Sequence, residues 1–199
     1  MVCYDKSITP AIEAQKNYIN NLLEKKEELT DSCTKAENNM TLQFGNFRTA
    51  QNIFGACSDD KATLEANLKK TEEAKAQQIK ELEEEMEAKI LQAKRDGKGD
   101  TEIDAIRAEY ATKIYNVENS YADKIANLKY NITIANTMAI TKYKTLAQAD
   151  LNYRNSRFEN IFATGNFLNN QSSLFTAYLD LGKMQNNQFI NEYKLNLNG

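Results

Sequence analysis

The chain has 199 residues, 41% of them hydrophobic, with 25 basic and 28 acidic side chains and a formal charge of -3. Seven Gly, one Pro and no Trp are too few punctuating residues for a loop-rich β protein. The absence of His removes the commonest general base near neutral pH, the commonest metal ligand and every triad built on imidazole, and a charge this near balance makes no field that gathers nucleic acid or acidic lipid.

From the N-terminus, MVCYDKSITP has no basic stretch followed by an apolar one, so no secretory signal is expected. Thr9-Pro10 with Glu13 reads as a helix start, Thr as cap and Pro in the first turn. Cys3, Cys33 and Cys57 are odd in number and contain no CxxC pair, which leaves reduced thiols and neither a zinc site nor a disulfide framework. Gly55 with Ser58-Asp59-Asp60 reads as one helix break. Gly97-Lys98-Gly99-Asp100-Thr101 reads as a second, with Asp100 or Thr101 capping the next helix and Asp104 completing a capping box, and Thr164-Gly165-Asn166 as a third. Four helices are expected, near 9–56, 59–96, 101–163 and 167–195, with Gly45 a possible bend. The most apolar stretch, Ile132 to Ile140, is interrupted by Thr133, Asn136 and Thr137 and is too short to span a bilayer.

The strongest periodic signal is central. Ile103, Ile106, Tyr110, Ile114, Val117, Tyr121, Ile125, Leu128 and Ile132 step by 3, 4 and 4 and repeat every eleven residues. Read backwards from the glycine turn, Ala93, Ile90, Met86, Leu82, Ile79, Lys75, Thr71, Leu68 and Leu64 step identically. The two rows are reflections of one another through Lys98, inside the turn. An antiparallel helical hairpin closing there brings each pair to one height, so turn and apolar row agree independently. The eleven-residue period, about 3.67 residues per turn, favours a straight or weakly right-handed pair. The arm, residues 59–138, is expected to reach about 55 Å, its outer faces lined with solvated charge such as Lys80-Glu81-Leu82-Glu83-Glu84-Glu85. A seam this narrow, holding Thr71 and Lys75, buries little by itself.

All eight Phe fall outside that arm, at Phe44, Phe47, Phe54, Phe158, Phe162, Phe167, Phe175 and Phe189. A Phe-rich helical base is therefore expected from residues 1–58 and 139–199, the arm rising from it: an all-α bundle with a handle. Within the last helix, Leu174, Phe175, Tyr178, Leu179, Met184, Phe189, Ile190 and Tyr193 wrap too far round for one stripe, joined by Leu181, Leu195 and Leu197. Its polar positions are mostly Asn and Gln. Charge depletion with neutral polar groups and aromatics is the composition of a surface buried between chains. Phe158, Phe162, Phe167 and the residues just named, Leu174 through Tyr193, are the candidate assembly interface. Completion of an intrachain bundle, or contact with a membrane surface, are the other readings of that helix.

Groups suited to catalysis or cofactor binding do not assemble. Gly97-Lys98-Gly99-Asp100-Thr101 lacks the first Gly of a phosphate loop and follows a helix. Carboxylate di-iron sites need Glu-x-x-His pairs, and Glu83, Glu84, Glu85 and Glu87 have no pocket to converge on. Lys142, Lys144, Arg154 and Arg157 are too sparse for a nucleic-acid groove. The expectation is no enzyme, no cofactor, no metal and no specific nucleic acid.

The stretch Asn152-Tyr-Arg-Asn-Ser-Arg-Phe-Glu-Asn-Ile-Phe-Ala163 resembles an Asn-Tyr-Arg, aromatic, Ile-Phe-Ala stretch in small internal virion proteins of short-tailed bacteriophages, over a dozen residues with a one-residue gap. The resemblance implies a mostly helical protein of about this size that is ejected during infection. The overall look also resembles helical filament or translocator subunits of bacterial secretion systems. The expected role is a structural subunit of a larger assembly, located in the virion or in the cytoplasm before assembly. Its partners would be copies of itself or neighbouring subunits, as a homo-oligomer without a transmembrane segment. The alternative is a coiled-coil chaperone or adaptor that clasps an apolar partner.

Overall fold

The computed structural model describes residues 8–197, with side chains described as far as Lys194. Cys3 and the rest of residues 1–7, and the side chains of Leu195 and Leu197, lie outside the described residues. Two helices account for the fold, α1 (Thr9–Arg95) and α2 (Asp100–Leu197), packed antiparallel as an all-α hairpin. No strand occurs among the described residues.

The turn is built by backbone chemistry. Gly97 sits at φ 71, in the left-handed region, where a Cβ is disfavoured. The Lys98 amide reaches back to the Ala93 carbonyl at 3.0 Å and the Gly97 amide to that of Lys94 at 3.2 Å, the paired bonds of a Schellman close that satisfy carbonyls left over at the helix end. Lys94 and Arg95 lie in that last turn and complement its negative dipole end. Neither Asp100 nor Thr101 is the cap of α2. The Gly99 carbonyl accepts the first helical bond, from Ile103 at 3.3 Å, while Asp100 and Glu102 occupy the first turn, where acids suit the positive end. Asp104 pairs with Arg107 at 3.0 Å. At the other end the Ile8 carbonyl accepts the Ile12 amide at 3.0 Å, so Thr9 is already the first residue of α1.

The breaks expected at Gly45, at Gly55 with Ser58, and at Thr164-Gly165-Asn166 do not occur, and the four expected helices are two. A lone glycine inside a helix costs about 1 kcal/mol, which neighbouring turns locked to a partner helix offset. Only where Gly97 takes a positive φ does the helix end.

The hairpin divides into two compact units. In the unit Thr49–Ala147, Ile103 and Tyr110 are buried, and Leu64, Leu68, Ile79, Leu82, Met86, Ile90, Ile106, Ile114, Val117, Tyr121, Ile125, Leu128 and Ile132 are half-buried. Residues between them face water. Ion pairs bridge the limbs beside this row, Lys89 to Glu109 at 3.9 Å, Lys75 to Glu118 at 3.7 Å and Lys129 to Glu72 at 3.3 Å. Lys75 thus ends on a carboxylate, not in open water. The row passes the expected edge of the arm. From Ile125 onward the half-buried positions step by 4 and 3, through Ala135, Ala139, Lys142 and Leu146, opposite Lys61, Cys57, Phe54 and Ala50. The eleven-residue period gives way to a seven-residue one within this unit, and Phe54 meets the Tyr143 ring at 5.8 Å. Each limb of the unit measures about 70 Å.

The other unit takes the chain up to Arg48 and from Gln148 onward. It too is a helix pair, in the same reflected register and with the seven-residue period. Leu22 opposes Leu174, and Ile19, Leu174 and Ala177 form a small buried cluster with Leu22 and Leu181 against it. Phe44 and Phe47 flank the Tyr153 ring at 5.2 and 6.0 Å. The thick Phe core expected here does not form, because two helices share only one line of contact. Phe158, Phe162, Phe175 and Phe189 remain 66% to 72% exposed.

Two variants test the seam. Ile114→Asp places a carboxylate in the apolar row and should lower stability by about 3 kcal/mol, whereas Glu84→Lys, on an exposed face with only an i,i+4 partner in Lys80, should change it by less than about 0.5 kcal/mol. Thermal unfolding followed by circular dichroism reads both, and equal shifts would contradict the seam. Gly97→Ala, with nothing within 4 Å of the added methyl, should cost about 1–2 kcal/mol from backbone strain alone in the same measurement.

Candidate interaction surface

The outward side of α2 between Leu151 and Tyr193 carries a second apolar row. Stepping by 3 and 4 it runs Leu151, Arg154, Phe158, Ile161, Gly165, Leu168, Ser172, Phe175, Leu179, Gly182, Asn186, Phe189 and Tyr193. This is the period of the seam, placed about 150° round the helix from it. All eight large apolar members are exposed, from Leu151 and Leu179 at 50% to Phe158 at 70%. Only Arg154 is charged, and its guanidinium is held by Asp150 at 2.8 Å.

The helix opposite is different. α1 in this unit turns Glu13, Lys16, Glu24, Lys25, Glu28 and Lys35 outward, and its exposed Tyr18, Leu23, Leu42 and Phe44 do not join into a row. Scattered large apolar residues are normal on a protein surface, but a contiguous rank of them along one helix marks a contact site. The Thr49–Ala147 unit has a shorter exposed group, Tyr130, Ile134 and Met138.

The structure sorts the candidate assembly residues into three groups. Phe158, Phe175, Leu179, Phe189 and Tyr193 lie on the outward row, with Phe162 and Ile190 along one edge of it and Tyr178 on its other flank, all exposed. Phe167, Leu174 and Met184 turn the other way, into the seam with α1, with Leu174 only 5% exposed. Leu151, Ile161 and Leu168 belong to the outward row and were not singled out by the sequence reading. Their signal was the 3, 4 spacing across Gly165, hidden once a helix break was placed there.

Polar groups fill the seam beneath this row. Asn170 donates from Nδ2 to the Leu22 carbonyl at 3.3 Å and Gln15 from Nε2 to the Ala177 carbonyl at 2.9 Å. Asn170 Oδ1 and Gln171 Nε2 are buried without a hydrogen-bond partner. Cys33 and Cys57 are half-buried seam residues, opposite Ala163 and Ala139. Among the described residues no three acidic, Cys or His groups are placed to hold a metal ion, and no helix is long and apolar enough to cross a membrane.

The densest charge cluster lies near the turn. Tyr110, 1% exposed, is covered by the ammonium groups of Lys113 and Lys89 at 4.2 and 5.1 Å from its ring, and its hydroxyl reaches Glu85 at 3.4 Å. The Lys113 hydrogen bond, then the charges of Lys113 and Lys89, hold the Glu109 carboxyl below its ordinary 4.5. The bond that the Lys113 ammonium donates to Glu109 raises Lys113 above 10.5. A lowered carboxyl stabilises the fold above its unfolded pKa and ceases to as pH falls through the folded one; a raised ammonium stabilises below 10.5 and ceases to as pH climbs past its folded value. Glu109→Gln should therefore reduce the drop in Tm between pH 6 and pH 2 while leaving helix content intact. An unchanged pH profile would show that the cluster adds nothing to stability.

No family model, curated protein or solved structure matches this chain, so its outward row is read from its own chemistry.

Proposed function

We propose that the protein is a non-enzymatic structural subunit of a larger assembly, using the outward face of α2 to meet copies of itself or neighbouring subunits. The supporting observation is the apolar row from Leu151 to Tyr193, exposed along one helix while the other helix of the pair faces water with Lys and Glu. A chain with this much apolar surface on one side gains most by covering it with another protein. The Asn152–Ala163 stretch, which contributes Phe158 and Ile161 to that row, favours a bacteriophage virion component, internal, adaptor or tail-associated. The alternative of a chaperone or adaptor has one observation in its favour: a charge-poor helical face also suits an apolar helix from a different protein.

Light scattering on the purified chain separates these readings. A structural subunit should exceed monomer mass at micromolar concentration, and the double variant Phe158→Glu/Phe175→Glu should return it to monomer with unchanged helix content. A monomer that stays monomeric at all concentrations would contradict self-assembly. If it then captures a helical partner, and loses that capture in the same variant, the adaptor reading takes its place.

A further inference from the structure

We infer that two copies of the chain pair α2 against α2, antiparallel, through the outward row about a twofold axis at Ser172. This rests on the assembly reading above and specifies its geometry.

The argument comes from the order of large and small residues. Read from its two ends, the row meets itself at Ser172, and in an antiparallel pair each position faces its counterpart from the other end. Leu151 then meets Tyr193, Phe158 meets Asn186, Ile161 meets Gly182, Gly165 meets Leu179 and Leu168 meets Phe175. Each glycine receives a large aliphatic side chain, and Ser172 sits on Ser172 at the axis. A parallel, in-register pair would instead set glycine on glycine at two levels and Phe on Phe at three, alternating voids with clashes that close packing does not tolerate.

The glycines supply an independent observation. A methyl added at Gly165 or Gly182 would meet nothing within 4 Å inside the chain, and neither glycine has a positive φ. Nothing within the fold asks for glycine there, although alanine is the better helix former. A second chain does ask for it, because Leu179 and Ile161 of the other copy need those two seats. Gly45 and Gly55 on α1 have similarly open surroundings, but no apolar row runs through them.

Size and charge agree with the pairing. The eight large side chains leave on the order of 900 Å² exposed per chain, so covering them twice approaches the total buried by a standard specific dimer. Arg154, the row's one charge, falls opposite Phe189, a ring that accepts a guanidinium on its face. Along the flank, Thr164, Gln171, Tyr178 and Gln185 are uncharged, and its two charges, Arg157 and Glu192, are of opposite sign and lie toward opposite ends, which an antiparallel pair brings nearer to each other. Because the seam to α1 lies on the far side of α2, both α1 helices remain outside the contact.

The test is directed cross-linking in a chain whose own thiols are removed (Cys3→Ser, Cys33→Ala, Cys57→Ala), with helix content checked by circular dichroism. Under mild oxidation Ser172→Cys should form a covalent dimer and Leu151→Cys alone should not. Mixing Leu151→Cys with Tyr193→Cys should restore dimer. Gly165→Leu should weaken self-association by about 10-fold while keeping the helix, as Gly165→Ala should to a lesser degree. An oligomer in which Leu151→Cys links to itself, or Ser172→Cys does not link, overturns the antiparallel pairing and leaves the assembly reading standing. A chain that remains monomeric overturns both.

Discussion

Two helices can share only one line of contact, and most of what this chain does follows from that restriction. Each helix buries roughly two residues in seven, and whatever else is apolar must face outward. In the Thr49–Ala147 unit the sequence largely accepts the limit between Asp59 and Lys129: a continuous apolar row fills the seam, from Ile103 and Tyr110 to Ile132, and Lys and Glu are frequent on the outer faces, with exposed Tyr130, Ile134, Met138, Ile140 and Tyr143 following. Around Gln148 to Tyr193 it does not. There the seam includes Asn160, Asn170 and Gln188 on α2 and Gln15, Lys26 and Gln43 on α1, while Phe158, Phe175 and Phe189 stand outside.

The change of period carries a related consequence. An eleven-residue repeat keeps a helix pair nearly straight, and a seven-residue repeat favours a left-handed coil. The transition at Ile125, opposite Thr71, lies inside one unit and is not marked by glycine or proline. It is made entirely by where the half-buried residues fall. From there on the seam takes in polar residues at mirrored positions, such as half-buried Lys26 and buried Asn170, and polar groups in a seam favour one register over slipped pairings at some cost in stability.

Much of this was legible in the amino acids, and the parts that were not have physical reasons. The reflected rows of Leu64 to Ala93 and Ile103 to Ile132 located the turn and the pairing together, because apolar period and glycine chemistry are independent signals that coincide at Gly97. The breaks read at Gly55 and Gly165 rested on one signal each, glycine beside a polar residue, and a helix held by its partner overrides so weak a preference. The Phe distribution was misread for a different reason. Aromatics mark a thick intrachain core only where more than two helices meet; a helix pair has no room for one, and Phe158, Phe162 and Phe175 lie on an outer surface instead. Once Gly165 was read as a helix end, Ile161 and Leu168 fell on different helices and the row they share disappeared from view.

The placement of stability along the chain then acquires a direction. The seam of the unit containing Leu151 to Tyr193 mixes polar positions with the cluster of Ile19, Leu174 and Ala177 and with buried Ile12 and Ala163, while the outward row holds more large apolar side chains than the face of α2 turned toward α1. Were that row covered as proposed, the area removed from water would be comparable to an ordinary specific interface, and association would add to this unit's stability. Folding of a unit so covered would be linked to concentration by mass action, while the unit closed by Gly97 has a continuous apolar row in its own seam. On the proposed pairing, melting of the unit closed by Gly97 would be independent of protein concentration, and melting of the other would not.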